Sequence, residues 1–282
     1  MFEVDEKILE NVKRSFTIPS KPALLIELQA QLQLTEPNIN RIADIISQDV
    51  AIAGGVLKVV NSAAFGLPRS VTDIKQSTLF LGLTAVHAVV TTLILKQSMS
   101  TQTCCIALDS FWEKASYIAN AAVFIGKHFK DQLVPEDIYT AALFQDCGIP
   151  AMALKYSDYN TVLRIADNSD KYTLAEIEDH KYKTNHAVVG YYIASTWQLP
   201  RSICQQVLLH HDLNFLATQA QHDKQLMFSV IKMAENIVNL HFTCSNISDW
   251  LQLKALVLDN LDFSEDDYND MIEDLEHFFE AN

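Results

Sequence analysis

Apolar residues recur at helical spacing along almost the whole of this chain, and little interrupts them. Leu24, Leu25, Leu28 and Leu32 share one face of the stretch from Ala23 to Leu34, and Ile39, Ile42, Ile45 and Ile46 stripe the next. Ala115, Ile118, Ala119, Ala122, Ile125 and Phe129 do the same over about 107–129. The period-two alternation of a half-buried strand is nowhere convincing. Seven glycines and seven prolines in 282 residues leave long helices unbroken. The fold class this implies is all-α. Pro19 and Pro22 set off an N-terminal helix over 1–17, and a polar, uncharged joint at Ser98–Thr103 divides the remainder.

Charge narrows the partners. The formal charge of −14 repels phosphate backbones and anionic lipid, and no Lys/Arg cluster offsets it, so neither nucleic acid nor membrane is an expected partner. The acidic N-terminus lacks the layout of a signal peptide. The most apolar helix, read as Thr84–Leu95, is too short to span a bilayer. Five cysteines without CxxC spacing read as reduced thiols in or near the core, and the expected location is cytoplasmic.

Local signals place helix ends. Asn38 and Asp49 are suited to N-caps, and Thr173 to Glu176 fits a capping box. A small-residue helix is expected from Val50 to Phe65, stopped by Gly66-Leu67-Pro68. Gly82 ends the helix before it, over Asp73–Leu81. The stretch Leu143-Phe144-Gln145-Asp146-Cys147-Gly148-Ile149-Pro150 reads as an apolar helix with a Gln-Asp pair on its last turn. Gly148 is expected to end that helix in the left-handed conformation, with Pro150 preventing continuation. A His-Asp pair at such a turn suits a metal; glutamine is a weak ligand. The other candidate ligands, His186, His210, His211 and Glu235, all lie in the second half, and facing helices of a bundle can unite them. Each also has a plain reading: His186 as a packing residue, the His pair as a response to a helix C-terminus, Glu235 as part of a solvated face.

At these residues the chain resembles a family. Ile46-Ser47-Gln48-Asp49-Val50-Ala51-Ile52 is followed by Val60-Asn61-Ser62-Ala63-Ala64-Phe65-Gly66-Leu67-Pro68 and Leu81-Gly82-Leu83. Phe111-Trp112, the 141–148 stretch, Asn185-His186-Ala187, Trp197-Gln198-Leu199-Pro200 and His210-His211 continue the order. This series is similar to the HDOD family, the HD-related output domain of bacterial signalling proteins. The resemblance implies a two-lobed helical bundle over 18–240. An N-terminal lobe (about 18–100) would pack on a lobe shaped like an HD-type metal phosphohydrolase (about 104–240), with an acidic helical extension over 241–282. Carried over by position, the hydrolase site is depleted. Lys114 stands at the early histidine, Gln145 at the histidine of the His-Asp pair, and Glu235 near the late aspartate, while Asp146, His186 and His210 or His211 match.

The resulting expectation is a non-catalytic signalling or adaptor module, without cofactor or metal, that acts on a protein partner. The vestigial cleft would comprise Lys114, Gln145, Asp146, His186, His210, His211 and Glu235, with Lys114 ion-paired to Asp146 in place of the lost metal. Alternatives are a sensor of a nucleotide or small anion in that cleft, and, less favoured, a residual metal-dependent phosphohydrolase. Asn61, Ser62, Phe65 and Gly66 read either as a partner surface or as local structure between the lobes.

Overall fold

The computed structural model describes residues 6–16, 21–100, 104–167, 169, 172–217 and 222–281, and no strand occurs among them. The first lobe comprises α2 (Ala23–Leu32), α3 (Ile39–Ser47), α4 (Val50–Val60) and α5 (Ile74–Ser100). Asn38 caps α3 and Asp49 caps α4 through their side-chain oxygens, as the sequence suggests. The helix α4 ends at Val60, short of the expected Phe65, and turns fill the gap before α5. Gly82 has φ 75° and ψ 166°, so a kink there separates α5 into two helical segments, as expected from sequence. The second runs to Ser100, past the expected Leu95. Ile74–Met99 is long and apolar enough to cross a membrane by composition, yet 67% of its most apolar window is buried inside the fold. The other three helices of the lobe pack around it, and the apolar run is used there.

The second lobe comprises α6 (Leu108–Gly126), α7 (Pro135–Phe144), α8 (Gly148–Lys155), α9 (Tyr159–Asp167), α10 (Leu174–Tyr182), α11 (His186–Thr196), α12 (Arg201–Leu209) and α13 (His222–Thr243). Two further helices, α14 (Trp250–Leu261) and α15 (Glu265–Glu280), form the acidic extension and pack on α13 and α6. The lobes meet where α5 lies on α7. The N-terminal α1 (Glu6–Ser15) crosses over to α11 of the second lobe. Lys155 secures that crossing: its ammonium donates to the Ser15 carbonyl at 2.7 Å and lies 4.1 Å from the Phe16 ring. Of the expected breaks, Pro19 and residues 101–103 lie outside the described residues.

One buried polar side chain ties the lobes together. Gln29 on α2 accepts from Lys21, and its amide nitrogen lies 3.0 Å from His87 Nε2 and donates to the Trp197 carbonyl at the end of α11. Burial, with the nearby Lys21 charge, pushes His87 down to about 4, so it is neutral and accepts from Gln29.

Candidate metal centre

The turn Gln145–Cys147 links α7 to α8, so Gly148 starts a helix rather than ending one. Its φ is not positive, and Pro150 sits within the first turn of α8, where a missing N–H costs nothing. What Gly148 supplies is closeness. A Cβ there would lie 2.0 Å from the His186 carbonyl and 2.7 Å from the Gly190 nitrogen. The backbones of α8 and α11 therefore touch, and this contact brings Asp146 to His186.

Three imidazoles and a carboxylate converge at that point. His186 Nε2 is 3.2 Å from His210 Nε2 and 3.0 Å from His211 Nε2. Asp146 Oδ1 lies 3.2 Å from His210 Nε2 and 3.4 Å from His186 Nε2. The four donor atoms lie within 4.8 Å of one another. Donors bound to one ion at about 2.0–2.1 Å stand roughly 3.0–3.4 Å apart; the four distances just given fall in that range, and the widest pair would have to draw in to share one cation.

The far side of each ring fits as well. His186 Nδ1 donates to Glu178 at 2.7 Å, His210 Nδ1 to the Val207 carbonyl at 2.7 Å, and His211 Nδ1 to Asp249 at 2.9 Å. With Nδ1–H committed to an acceptor, Nε2 of each ring keeps its lone pair for a cation; outer acceptors of this kind accompany nearly all histidine metal ligands. Glu178 is itself held, accepting from the His186 backbone N–H and the Tyr159 hydroxyl. Asp249 is held by Lys232, whose buried ammonium also donates to Glu235 at 2.8 Å.

Electrostatics follow this layout. Burial pushes His186 down, but the Glu178 and Asp146 carboxylates outweigh it and raise it to about 10. Burial would raise Asp146; hydrogen bonds with His186 and His210 hold it well below the usual carboxylate range. Burial and the neighbouring His210 and Lys232 bring His211 down to about 3. Desolvation raises Glu235, against the pull of Lys232. A cation held there would face one ionised carboxylate and would compete with the proton on His186.

The structure places the remaining expected residues differently. Lys114 does not pair with Asp146; its ammonium donates to Asn239 at 2.6 Å. Buried pairing of a lysine does occur, but at Lys232, which sequence reading passed over. Glu235 is not on a solvated face; it is 9% exposed and paired inward. Gln145 is buried beside Asp146, with Nε2 3.5 Å from Oδ2 and Oε1 unpartnered. Lys114, Asp146, His211, Glu235 and Asp249 all line a cavity of about 470 Å³ that also admits Arg164 and Asn160. Glu178 and Asp249 were missed as well. Glu178 lies two residues past the capping-box glutamate, a spacing with no signal of its own, and Asp249 is one of many acids in the extension.

Asn61 closes a local turn, donating to the Leu57 and Val71 carbonyls and accepting from the Val71 N–H. Gly66 turns the chain at φ 60°. Phe65 packs between Phe80 and, across the lobe boundary, Tyr139. The Ser62 hydroxyl has no partner.

A family model for the HDOD domain matches residues 18–213. The chain belongs to the HDOD family. Among solved structures, an HDOD domain protein of unknown function from Geobacter sulfurreducens superposes with a TM-score of 0.69 at 19% identity, covering 98% of this chain and 96% of that one. A protein from Shewanella amazonensis SB2B with a provisional phosphohydrolase name gives 0.67 at 16% identity, covering 96% and 93%. One from Marinobacter aquaeolei VT8 with a provisional signal-transduction name gives 0.67 at 14%, covering 96% of this chain and 62% of that one. These likenesses establish the shared all-α fold. An uncharacterized protein of Treponema pallidum (strain Nichols) is 25% identical over 203 residues, and the matched region spans 70% of this HDOD chain and 38% of that relative. The family match ends at residue 213, so Lys232, Glu235 and Asp249 lie beyond it.

Proposed function

We propose that this HDOD protein is a signal-transduction module that acts through contacts with a protein partner, and that its second lobe holds one divalent cation as a structural centre rather than a hydrolytic one. The observation that carries this reading is the number of donors. Asp146, His186, His210 and His211 place four candidate ligand atoms within 4.8 Å of one another. For a four-coordinate cation such as zinc, four protein donors match structural sites, whereas catalytic zinc sites keep a position for water. The positions that the family resemblance assigns to two further hydrolase ligands hold Lys114 and Gln145, an ammonium and an amide. When bound, the ion would supply charge neutralisation and would tie the α7–α8 turn to the start of α11 and the end of α12. The residues' own part is to hold that geometry: Glu178, the Val207 carbonyl and Asp249 orient the rings.

The test is elemental analysis of protein purified without chelator, paired with a hydrolysis screen over phosphomonoesters and nucleotides. About one equivalent of a transition metal, lost in Asp146→Ala, with no turnover, is the expected result. Metal-dependent turnover abolished by Asp146→Ala would overturn the non-catalytic reading.

A second reading rests on the adjoining cavity. Lys114, Arg164 and Asn160 line it beside the cluster, and ammonium, guanidinium and amide donors suit phosphate oxygens. A small anion or nucleotide bound there would make the module a sensor. Thermal-shift screening with inorganic phosphate and nucleotides checks it; no rise in Tm at millimolar concentration counts against it.

A further inference from the structure

The outer face of α15 carries charge that helix stability opposes. The acidic extension has one lysine against eleven acids, and so most of the formal charge of −14. Glu265, Asp266 and Asp267 in the first turn complement the positive end of the helix, and Asp267 completes a capping box. Asp270, Glu273, Asp274, Glu276 and Glu280 follow, all exposed, and run toward the end where the dipole is negative. They also stand at the spacings i, i+3 and i+4, where like charges destabilise a helix. Among the described residues no lysine or arginine pairs with these five, and His277 reaches only Glu280, at 4.0 Å.

An aromatic surface adjoins the last turn of this helix. The Tyr117 ring of α6 lies 5.2 Å from Phe242 of α13 and 5.3 Å from Phe279 of α15, and His241 is 5.0 Å from Phe279. Phe242 is 49% exposed. Glu276 sits one turn before Phe279, and Glu113 one turn before Tyr117; both are exposed. Carboxylates therefore edge the rings from two helices. The start of α15 shows what such a pairing takes: the Lys254 ammonium lies 4.7 Å from the Tyr268 ring centre and pairs with Glu265. On α6, Lys127 lies 5.3 Å from the Phe124 ring centre.

We propose that the outer face of α15, with Phe242 and Tyr117 beside its end, docks an arginine-rich segment of a partner protein. The inference rests on the partner-contact reading above and supplies the surface and the chemistry of what binds. Guanidinium stacks on an aromatic face and takes a carboxylate in bidentate fashion, which an ammonium does not. The sign of the charge turns away nucleic acid, anionic lipid and the same face of a second copy. Binding relieves the like-charge repulsion along α15, so the occupied helix is the more stable one.

Fluorescence anisotropy of labelled nona-arginine and nona-lysine against the full-length protein, at one fixed ionic strength, tests this. Nona-arginine should bind about threefold tighter than nona-lysine or better. Phe242→Leu keeps an apolar side chain and removes the ring face. It should weaken nona-arginine about threefold, the worth of one exposed cation–π contact, and shrink its lead over nona-lysine. Glu273→Lys with Glu276→Lys reverses two exposed charges away from the core, and should weaken both peptides about tenfold or more. Glu36→Lys with Asp44→Lys makes the same change of net charge at exposed positions of the first lobe, and should leave binding within about twofold. The proposal is overturned if neither peptide binds at millimolar concentration, if the two bind alike, if Phe242→Leu changes nothing, or if the first-lobe pair weakens binding as much as the α15 pair. Any of these strikes the surface and leaves the partner reading standing; metal-dependent turnover in the hydrolysis screen strikes that reading itself.

Discussion

At the residue scale, the deciding group is a lysine other than the expected one. Lys232 is 1% exposed and neutralises Glu235 and Asp249 together. Lys232→Met would leave two buried carboxylates without their cation, and should destabilise the protein by about 3–5 kcal/mol in denaturant melts. Lys114 donates one hydrogen bond, to Asn239, and burial raises Asp167 while the Lys114 charge lowers it, so Lys114→Ala should cost no more than about 1.5 kcal/mol. The candidate ligands predict a pH profile for protein kept in chelator. His186 is raised to about 10, so its contribution is complete below its unfolded value of about 6.5 and is lost as pH climbs toward 10. Asp146 is held low, so its contribution is complete above its unfolded value of about 3.9 and is lost as pH falls below it. Tm should therefore be greatest between about pH 4 and 6.5 as far as this pair is concerned. His186→Gln should flatten the alkaline limb; an unchanged limb would show that His186 does not carry the charge.

At the element scale, helix contacts set the ligand geometry. Gly148 lets α8 touch α11, and a methyl group there meets backbone rather than a movable side chain. Gly148→Ala should cost about 3 kcal/mol or more, beyond ordinary overpacking, and should lower metal content along with Tm. The extension also reaches the site. Asp249 stands immediately before α14 and accepts from His211 Nδ1. Asp249→Asn keeps the shape but weakens that acceptor, and should reduce metal affinity about 10–100-fold by competition with a chelator. Unchanged affinity would mean that the extension merely covers the lobe.

At the scale of the whole molecule, the lobes are not independent. The α5–α7 contact, the crossing of α1 to α11 and the Gln29 bridge from α2 to the Trp197 carbonyl all join them. Calorimetry should give one transition, with Gln29→Leu lowering it by strand-free loss of buried hydrogen bonds worth about 0.5–1.5 kcal/mol each. Two separated transitions would show that the lobes melt apart.

Much of this was legible in the chain itself. Helical periodicity, the caps at Asn38, Asp49 and Thr173, and the scarcity of breakers determined an all-α fold, because those signals act within a few residues of one another. The motifs around Asn61 and Asp146 likewise identified the family, and His186, His210 and His211 were named as candidate ligands. Tertiary structure alone decided what those residues do. Whether Gly148 ends a helix or permits a close approach depends on α11, which is distant in sequence. Whether Lys114 or Lys232 balances the cleft depends on which ammonium the packing buries against Asp249. The convergence of three Nε2 atoms needs ring orientations set by Glu178, Val207 and Asp249 on three separate elements. Periodicity carries no record of such pairings, since burial and distance between remote segments arise only when the helices pack.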